Sequence, residues 1–217
     1  MTMIMEMLRP AEAAVVAHVA LRDVNRVIDE GILPENLFST DNGRHVRTTA
    51  CFLIDFYFNS AKSLTSEKRM LAIIEAGSRL DKFEELPWTA LLEKDWTVRD
   101  DFLVINLFSF VKGTKERMDR LIAARDLVAT DPDILSGTPV IRGTRIPVYD
   151  VAASVAAGIS NVRILAAYPM LDAEKIELAQ IYAEANPVRG RPRVTSELPK
   201  GTIIITDRKV SRRAKTG

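Results

Sequence analysis

The chain has 217 residues, 47% apolar and 27% charged, with a formal net charge of +1. Those values suit a soluble globular protein of one large or two small domains. No apolar run reaches the roughly 18–20 residues of a membrane span, and a single cysteine, Cys51, excludes an internal disulfide framework. The methionine-rich residues 1–8 are too short for a signal-peptide core, so a cytoplasmic protein is expected. The small net charge hides a division: residues 187–217 carry nine Lys/Arg against two acids, whereas the rest holds 21 basic and 27 acidic residues. A mildly acidic body with a basic tail implies an anionic partner for the tail, or a disordered solubilising end.

In chain order, Pro10 opens a helix that packs Ala13, Ala14 and Val16. A break follows near His18, a residue that enters the left-handed region more readily than most. A second helix then buries Val24 and Ile28 and stops at Gly31. Small residues and apolar anchors on both sides of a turn are the spacing of a helix-turn-helix. Residues 37–46 read as a hairpin turning at Asn42-Gly43. Across residues 10–60 the pattern resembles a winged helix-turn-helix of the MerR or excisionase type. That resemblance implies operator DNA as a partner, with Arg22, Asn25 and Arg26 on the outer face of the second helix. Arg and Asn make bidentate contacts to guanine and adenine edges, and Arg44, His45 and Arg47 on the hairpin would meet phosphates or the minor groove. Against this, residues 1–80 hold nine basic and ten acidic residues, and Asp23, Asp29 and Glu30 share the second helix. A structural helical pair with solvated arginines is the alternative.

Residues 48–61 are apolar nearly all round, which marks a buried helix, with Cys51 in its core. A helix over 66–76 carries Met70, Ile73 and Ile74 on one stripe, with Gly77 as its stop. A weaker helix covers 88–95. The run 102–111 reads as a strand buried on both sides, paired across a dimer or with a hairpin at 127–141.

Residues 130–151 run Thr-Asp-Pro-Asp-Ile-Leu-Ser-Gly-Thr-Pro-Val-Ile-Arg-Gly-Thr-Arg-Ile-Pro-Val-Tyr-Asp-Val. Pro132, Pro139, Pro147, Gly137 and Gly143 exclude a continuous helix. The expectation is a hairpin of the β-prone runs Ile134-Leu135 and Val140-Ile141, feeding a helix from Pro147. Three helices follow. The first buries Val148, Val151, Ala152 and Val155 and ends at Gly158. The second is capped by Ser160, stapled by Ile159 and Ile164, and closed at Tyr168-Pro169. The third is capped by Asp172, stapled by Leu171 and Ile176, and stripes Leu178, Ile181, Tyr182 and Ala185. Its first turns carry Asp172, Glu174 and Glu177 against Lys175, the wrong sign for phosphate. Arg142 and Arg145 are read as structural, bonding Asp131, Asp133 or Asp150, in preference to contacting DNA.

The signature Asp-Pro-x-Ile-Leu-x-Gly-x-Pro-Val-Ile-Arg-Gly-Thr-Arg-Ile-Pro-Val, together with the residues up to about 186, closely resembles the domain of unknown function 433 family. That family is associated with VapB-like antitoxins of type II toxin–antitoxin pairs, whose partners are PIN-like ribonucleases. The resemblance implies such a toxin as partner, with the basic tail as its ligand. Arg189, Arg191 and Arg193 would enter the nuclease's cluster of carboxylates, Ile203, Ile204 and Ile205 would add a strand to its sheet, and Arg208 would flank that strand toward an acidic pocket.

The expected architecture is therefore mainly α with small β elements. It comprises a winged helix-turn-helix over 1–80, a connecting or dimerisation region over 81–126, a hairpin with a three-helix homeodomain-like domain over 127–186, and an extended tail over 187–217. Two histidines and one cysteine cannot make a zinc site, and no Gly-rich phosphate loop follows a strand. The expectation is a non-enzyme without cofactors, a homodimeric antitoxin that represses its own operon; a stand-alone DNA-binding regulator with a basic arm is the alternative.

Overall fold

The computed structural model describes residues 6–80, 82 and 88–188. The chain is mainly helical, with three small antiparallel sheets among the described residues. The described residues up to Pro187 form one compact unit.

Strand β1 (Met7–Leu8) leads into α1 (Pro10–Ala17), whose proline fits the first helical position. His18 closes α1 at φ 53°, ψ 48°, so the expected left-handed turn is present without a glycine. Helix α2 (Leu21–Asp29) buries Val24, Val27 and Ile28, and Gly31 follows at φ 62°. Strands β2 (Phe38–Ser39) and β3 (His45–Arg47) form the expected hairpin. Its loop is longer than a two-residue Asn-Gly turn, because Ser39 pairs with His45 and residues 40–44 bridge them. Strand β3 is central, pairing with β1 on its other side.

Helix α3 (Cys51–Asn59) is buried nearly all round, as its composition requires. Helix α4 (Ser66–Leu80) corrects the expected stop at Gly77, since it runs straight through that residue. A Cβ at position 77 would lie 3.0 Å from Pro34 Cγ, so the glycine serves a close approach rather than a helix end. After α5 (Trp88–Leu92), strands β4 (Thr97–Asp100) and β5 (Leu103–Asn106) pair with each other around Asp101 at φ 49°. The run 102–111 is thus not a strand buried on both faces. In β5 only Ile105 is buried, Val104 is exposed, and the chain turns at Leu107 into α6 (Phe108–Leu127). This 20-residue helix buries Val111, Thr114, Met118, Leu121 and Ala124 along one stripe.

Strand β6 (Val128–Ala129) leaves α6 and pairs with β7 (Val140–Ile141). The hairpin partner of Val140-Ile141 is therefore Val128-Ala129 and not Ile134-Leu135. Leu135 and Ser136 instead adopt φ 48° and 55° in a tight turn ahead of Gly137. Helices α7 (Val148–Ala156), α8 (Asn161–Ala167) and α9 (Ala173–Ala185) complete the unit. Asp172 caps α9 by accepting from Lys175 N at 2.7 Å. Ser160 holds the N-cap position of α8, but its side chain makes no capping bond.

Two hydrophobic clusters organise these elements. One spans Leu8 to Leu121 and takes in Ala185. The other joins Val128 and Ile141 to Val148, Val151, Ile164, Leu171, Ile176 and Ala179. Helix α9 serves both, packing against α6, α7 and α1. Polar contacts brace the same junction. Arg125 on α6 pairs with Glu6 and with Glu12 on α1 (Nη2–Oε1 2.9 Å), and Arg9 donates to Glu12 and to Asn186. Tyr149 closes the ring by donating to the Asn186 carbonyl at 2.8 Å. Burial pushes the Glu12 carboxyl up, but hydrogen bonds from Arg9 and Arg125 outweigh it and hold the group below its ordinary range.

Candidate nucleic-acid interface

Packing decides which faces of α2 are open. Val24, Val27 and Ile28 occupy the inner stripe, so the 3.6-residue period turns Leu21, Arg22, Arg26, Asp29 and Glu30 outward. Arg22 is the freest, with its side chain 89% exposed and Nε 3.7 Å from Asp23. Arg26 Nε donates to Glu30 at 2.9 Å, one turn along the helix.

The β2–β3 loop is fixed against this face by Arg44. Its guanidinium spans the Asp29 carboxylate, Nη2 to Oδ1 at 2.7 Å and Nη1 to Oδ2 at 3.2 Å, and Nη1 also donates to Asn25 Oδ1 at 2.9 Å. Asn25 returns its own amide to the Leu21 carbonyl at 3.1 Å. The structure therefore brings together Asn25 and Arg44 and leaves Arg22 and Arg26 on the same helix surface. His45 lies half-buried on β3 with Nδ1 3.0 Å from the Gly43 carbonyl. Arg47 stands opposite Met7, where β3 meets β1, with its side chain half-buried. From sequence alone, Asp29 and Glu30 read only as unfavourable charge. Their roles as partners of Arg44 and Arg26 were visible in part, through the four-residue spacing of Arg26 and Glu30. The Asp29–Arg44 pair joins separate elements and carried no local signal.

The second three-helix group presents a different surface. On α9, Ile176, Leu178, Ala179 and Ala185 are buried, and the exposed positions include Glu174, Glu177 and Glu184. Glu177 pairs with Arg120 of α6. Packed on four helices and acidic where it is open, α9 offers little to a phosphate backbone. In the signature, Arg142 is structural, but through carbonyls rather than carboxylates. Its Nε donates to Asp126 O at 2.8 Å and its Nη2 to Val128 O at 3.1 Å, tying the end of α6 to β7. Main-chain acceptors left over at a helix C-terminus are also partners for a guanidinium. Arg145 is exposed, and none of Asp131, Asp133 and Asp150 holds it.

An apolar groove runs between the α1–α2 turn and the end of α9, lined by Ala14, Val15, His18, Leu21, Glu184 and Pro187. It holds no nucleophile–base pair. Among the described residues no group of three His, Cys, Asp or Glu is placed to hold a metal ion, and no helix is long and apolar enough to cross a membrane. Cys51 is fully buried, and burial pushes its thiol far up, so it is not a reactive nucleophile. Arg189, Arg191, Arg193, Ile203, Ile204, Ile205 and Arg208 lie outside the described residues.

Residues 128–183, from β6 to near the end of α9, match the family model described as Protein of unknown function (DUF433). Over its full length the chain is similar to the uncharacterized protein y4eO of Sinorhizobium fredii (strain NBRC 101917 / NGR234). The two are 62% identical over 217 residues, covering 100% of this chain and 98% of the relative. The chain belongs to the family of that protein, and its DUF433 region stands behind a helical front half. No solved structure matches it.

Proposed function

We propose that the chain is the antitoxin of a type II toxin–antitoxin pair, a homodimer that represses its own operon and inhibits a PIN-like ribonuclease. In this reading α1, α2 and the β2–β3 hairpin act as a winged helix-turn-helix. Helix α2 enters the major groove, with Arg22, Asn25 and Arg26 toward base edges. Arg44, His45 and Arg47 meet phosphates or the neighbouring minor groove. The observation that carries the reading is the docking of Arg44 onto Asn25 and Asp29, which makes helix and hairpin one surface with arginines along it. Helices α7–α9 form the homeodomain-like group, with α9 as a packing element rather than a groove reader.

The nuclease would be held by the basic tail. Arg189, Arg191 and Arg193 would compete for the metal-binding carboxylates, Ile203, Ile204 and Ile205 would add a strand, and Arg208 would flank that strand toward an acidic pocket. The reading gives the chain no catalytic role and no cofactor. It is tested by comparing the full chain with a version ending at Asn186, for shift of its own promoter fragment and for inhibition of a nuclease encoded beside it. Both should shift the promoter, and only the full chain should inhibit; inhibition by the shortened chain refutes the assignment. The charge of the tail, nine basic residues against two acidic, also favours a second reading as a stand-alone regulator with a basic arm. In that case truncation lowers DNA affinity and flattens its salt dependence.

A further inference from the structure

We propose that Arg44, Asp29 and Asn25 form an autoinhibitory latch on the nucleic-acid face, so that capture of Arg44 by a phosphate frees the Asn25 side-chain carbonyl oxygen for a base in the same event. The inference rests on the proposed DNA-reading role of α2.

Three observations lead to it. First, the pair crosses elements. Arg22–Asp23 and Arg26–Glu30 are local contacts that an isolated helix would make, whereas Arg44 comes from the β2–β3 loop and reaches two residues of α2 at once. Second, Asp29 is placed against helix stability. It is the last residue of α2, where the negative end of the helix macrodipole disfavours a carboxylate. Arg44 compensates it there, with Nη2 2.7 Å from Oδ1. Third, the Asn25 carbonyl oxygen, one of the two groups an asparagine needs to grip adenine bidentately, is occupied by Arg44 Nη1 at 2.9 Å. While the latch is shut, the helix cannot present Asn25 fully.

The contact is also exchangeable. Its side chains are 40% and 55% exposed, so water screens the pair and it tightens the closed state by a factor of only about five or less. A DNA phosphate, carrying its own charge and arriving with counterion release, competes readily with an exposed carboxylate. Asp29 is thus a positioning residue with two effects: it parks the hairpin arginine, and through that arginine it masks the carbonyl oxygen of a base-reading asparagine.

The test is a four-protein cycle on the full-length chain: wild type, Asp29→Asn, Arg44→Ala and the double variant, titrated onto the chain's own promoter fragment and onto a random-sequence duplex over a range of salt. Asp29→Asn should tighten promoter binding roughly threefold to fivefold at low salt. On the random duplex the log K versus log salt slope should flatten by about one in Arg44→Ala, which loses the phosphate contact, and stay unchanged in Asp29→Asn. Most of the gain should vanish in the Arg44→Ala background, and melting temperatures should stay together, because a purely structural role would move stability instead. A missing gain, or an equal gain without Arg44, overturns the latch: the first makes the contact inert, the second makes it bulk charge. If the wild type binds its promoter and only the cycle fails, the latch alone is wrong. If no protein of the four binds any duplex, the DNA-reading function falls and the latch with it.

Discussion

Helices α2 and α9 each follow a short turn in a three-helix neighbourhood, yet the chain uses them in opposite ways. Helix α2 hides one stripe, Val24, Val27 and Ile28, and leaves Leu21, Arg22, Arg26 and Asp29 exposed. Helix α9 has Ile176, Leu178, Ala179 and Ala185 buried and packs on α6, α7 and α1. The difference shows that similar helical patterning does not mark equivalent surfaces. What matters is how many neighbours a helix must satisfy before any face is left for a ligand.

Four substitutions and one modification sharpen that contrast. The largest effect is expected in α9: Ile176→Ala should lower stability by about 2–5 kcal/mol, read by denaturant unfolding, because a buried side chain leaves a cavity between α9 and its neighbours. A change under about 0.5 kcal/mol would mean that α9 is not packed as described. Next comes the brace beneath it. Arg125→Ala should remove about 1–3 kcal/mol by leaving Glu6 and the buried Glu12 short of a partner. Because the folded carboxyl of Glu12 titrates below its ordinary value, its contribution is complete above about pH 4.3 and lost as pH falls through the lowered folded value. Acid unfolding of the wild type should therefore begin below that point, and Arg125→Ala should bring the acid limb to higher pH; an unchanged limb would remove Glu12 from the account.

Gly77→Ala comes third. Helix propensity alone would stabilise α4 by about 1 kcal/mol. The approach to Pro34 should reverse the sign to a net loss of up to about 2 kcal/mol. A stabilised variant would restore Gly77 to the status of an ordinary helix residue. On α2 the pattern inverts: Arg22→Ala should change stability by less than about 0.5 kcal/mol and weaken promoter binding by about 1–3 kcal/mol. Equal promoter affinity would take Arg22 off the proposed reading face. The smallest effect is at Cys51, which should stay unlabelled by iodoacetamide in the native protein and react on unfolding, as mass spectrometry would show; labelling of the native protein would contradict its burial.

Where local chemistry set the conformation, the fold could be read from the residues. His18 turned left-handed where a glycine is usual, Pro10 began α1, Asp172 capped α9, and apolar composition buried α3. Tertiary contacts hid the rest. Helix α6 begins inside an apolar run that reads as strand, and two of its stripe positions, Thr114 and Ala124, look neutral by composition. Gly77 resembles a stop because its reason, Pro34, lies 43 positions away in the chain. In the signature, Leu135 left the β region for a positive φ that its β-prone neighbour Ile134 did not forecast. The residues of the candidate interface were legible as types. Their arrangement was not, because Arg44, Asn25 and Asp29 meet only once the hairpin packs on α2.

The contrast between the two helices is tested most directly by promoter binding with two double variants, Arg22→Ala/Arg26→Ala on α2 and Glu174→Ala/Lys175→Ala in the first turn of α9. The account predicts that the first abolishes the shift of the chain's own promoter fragment while the second leaves it intact at equal protein concentration. Loss of the shift with the α9 pair, and its survival with the α2 pair, would contradict the account.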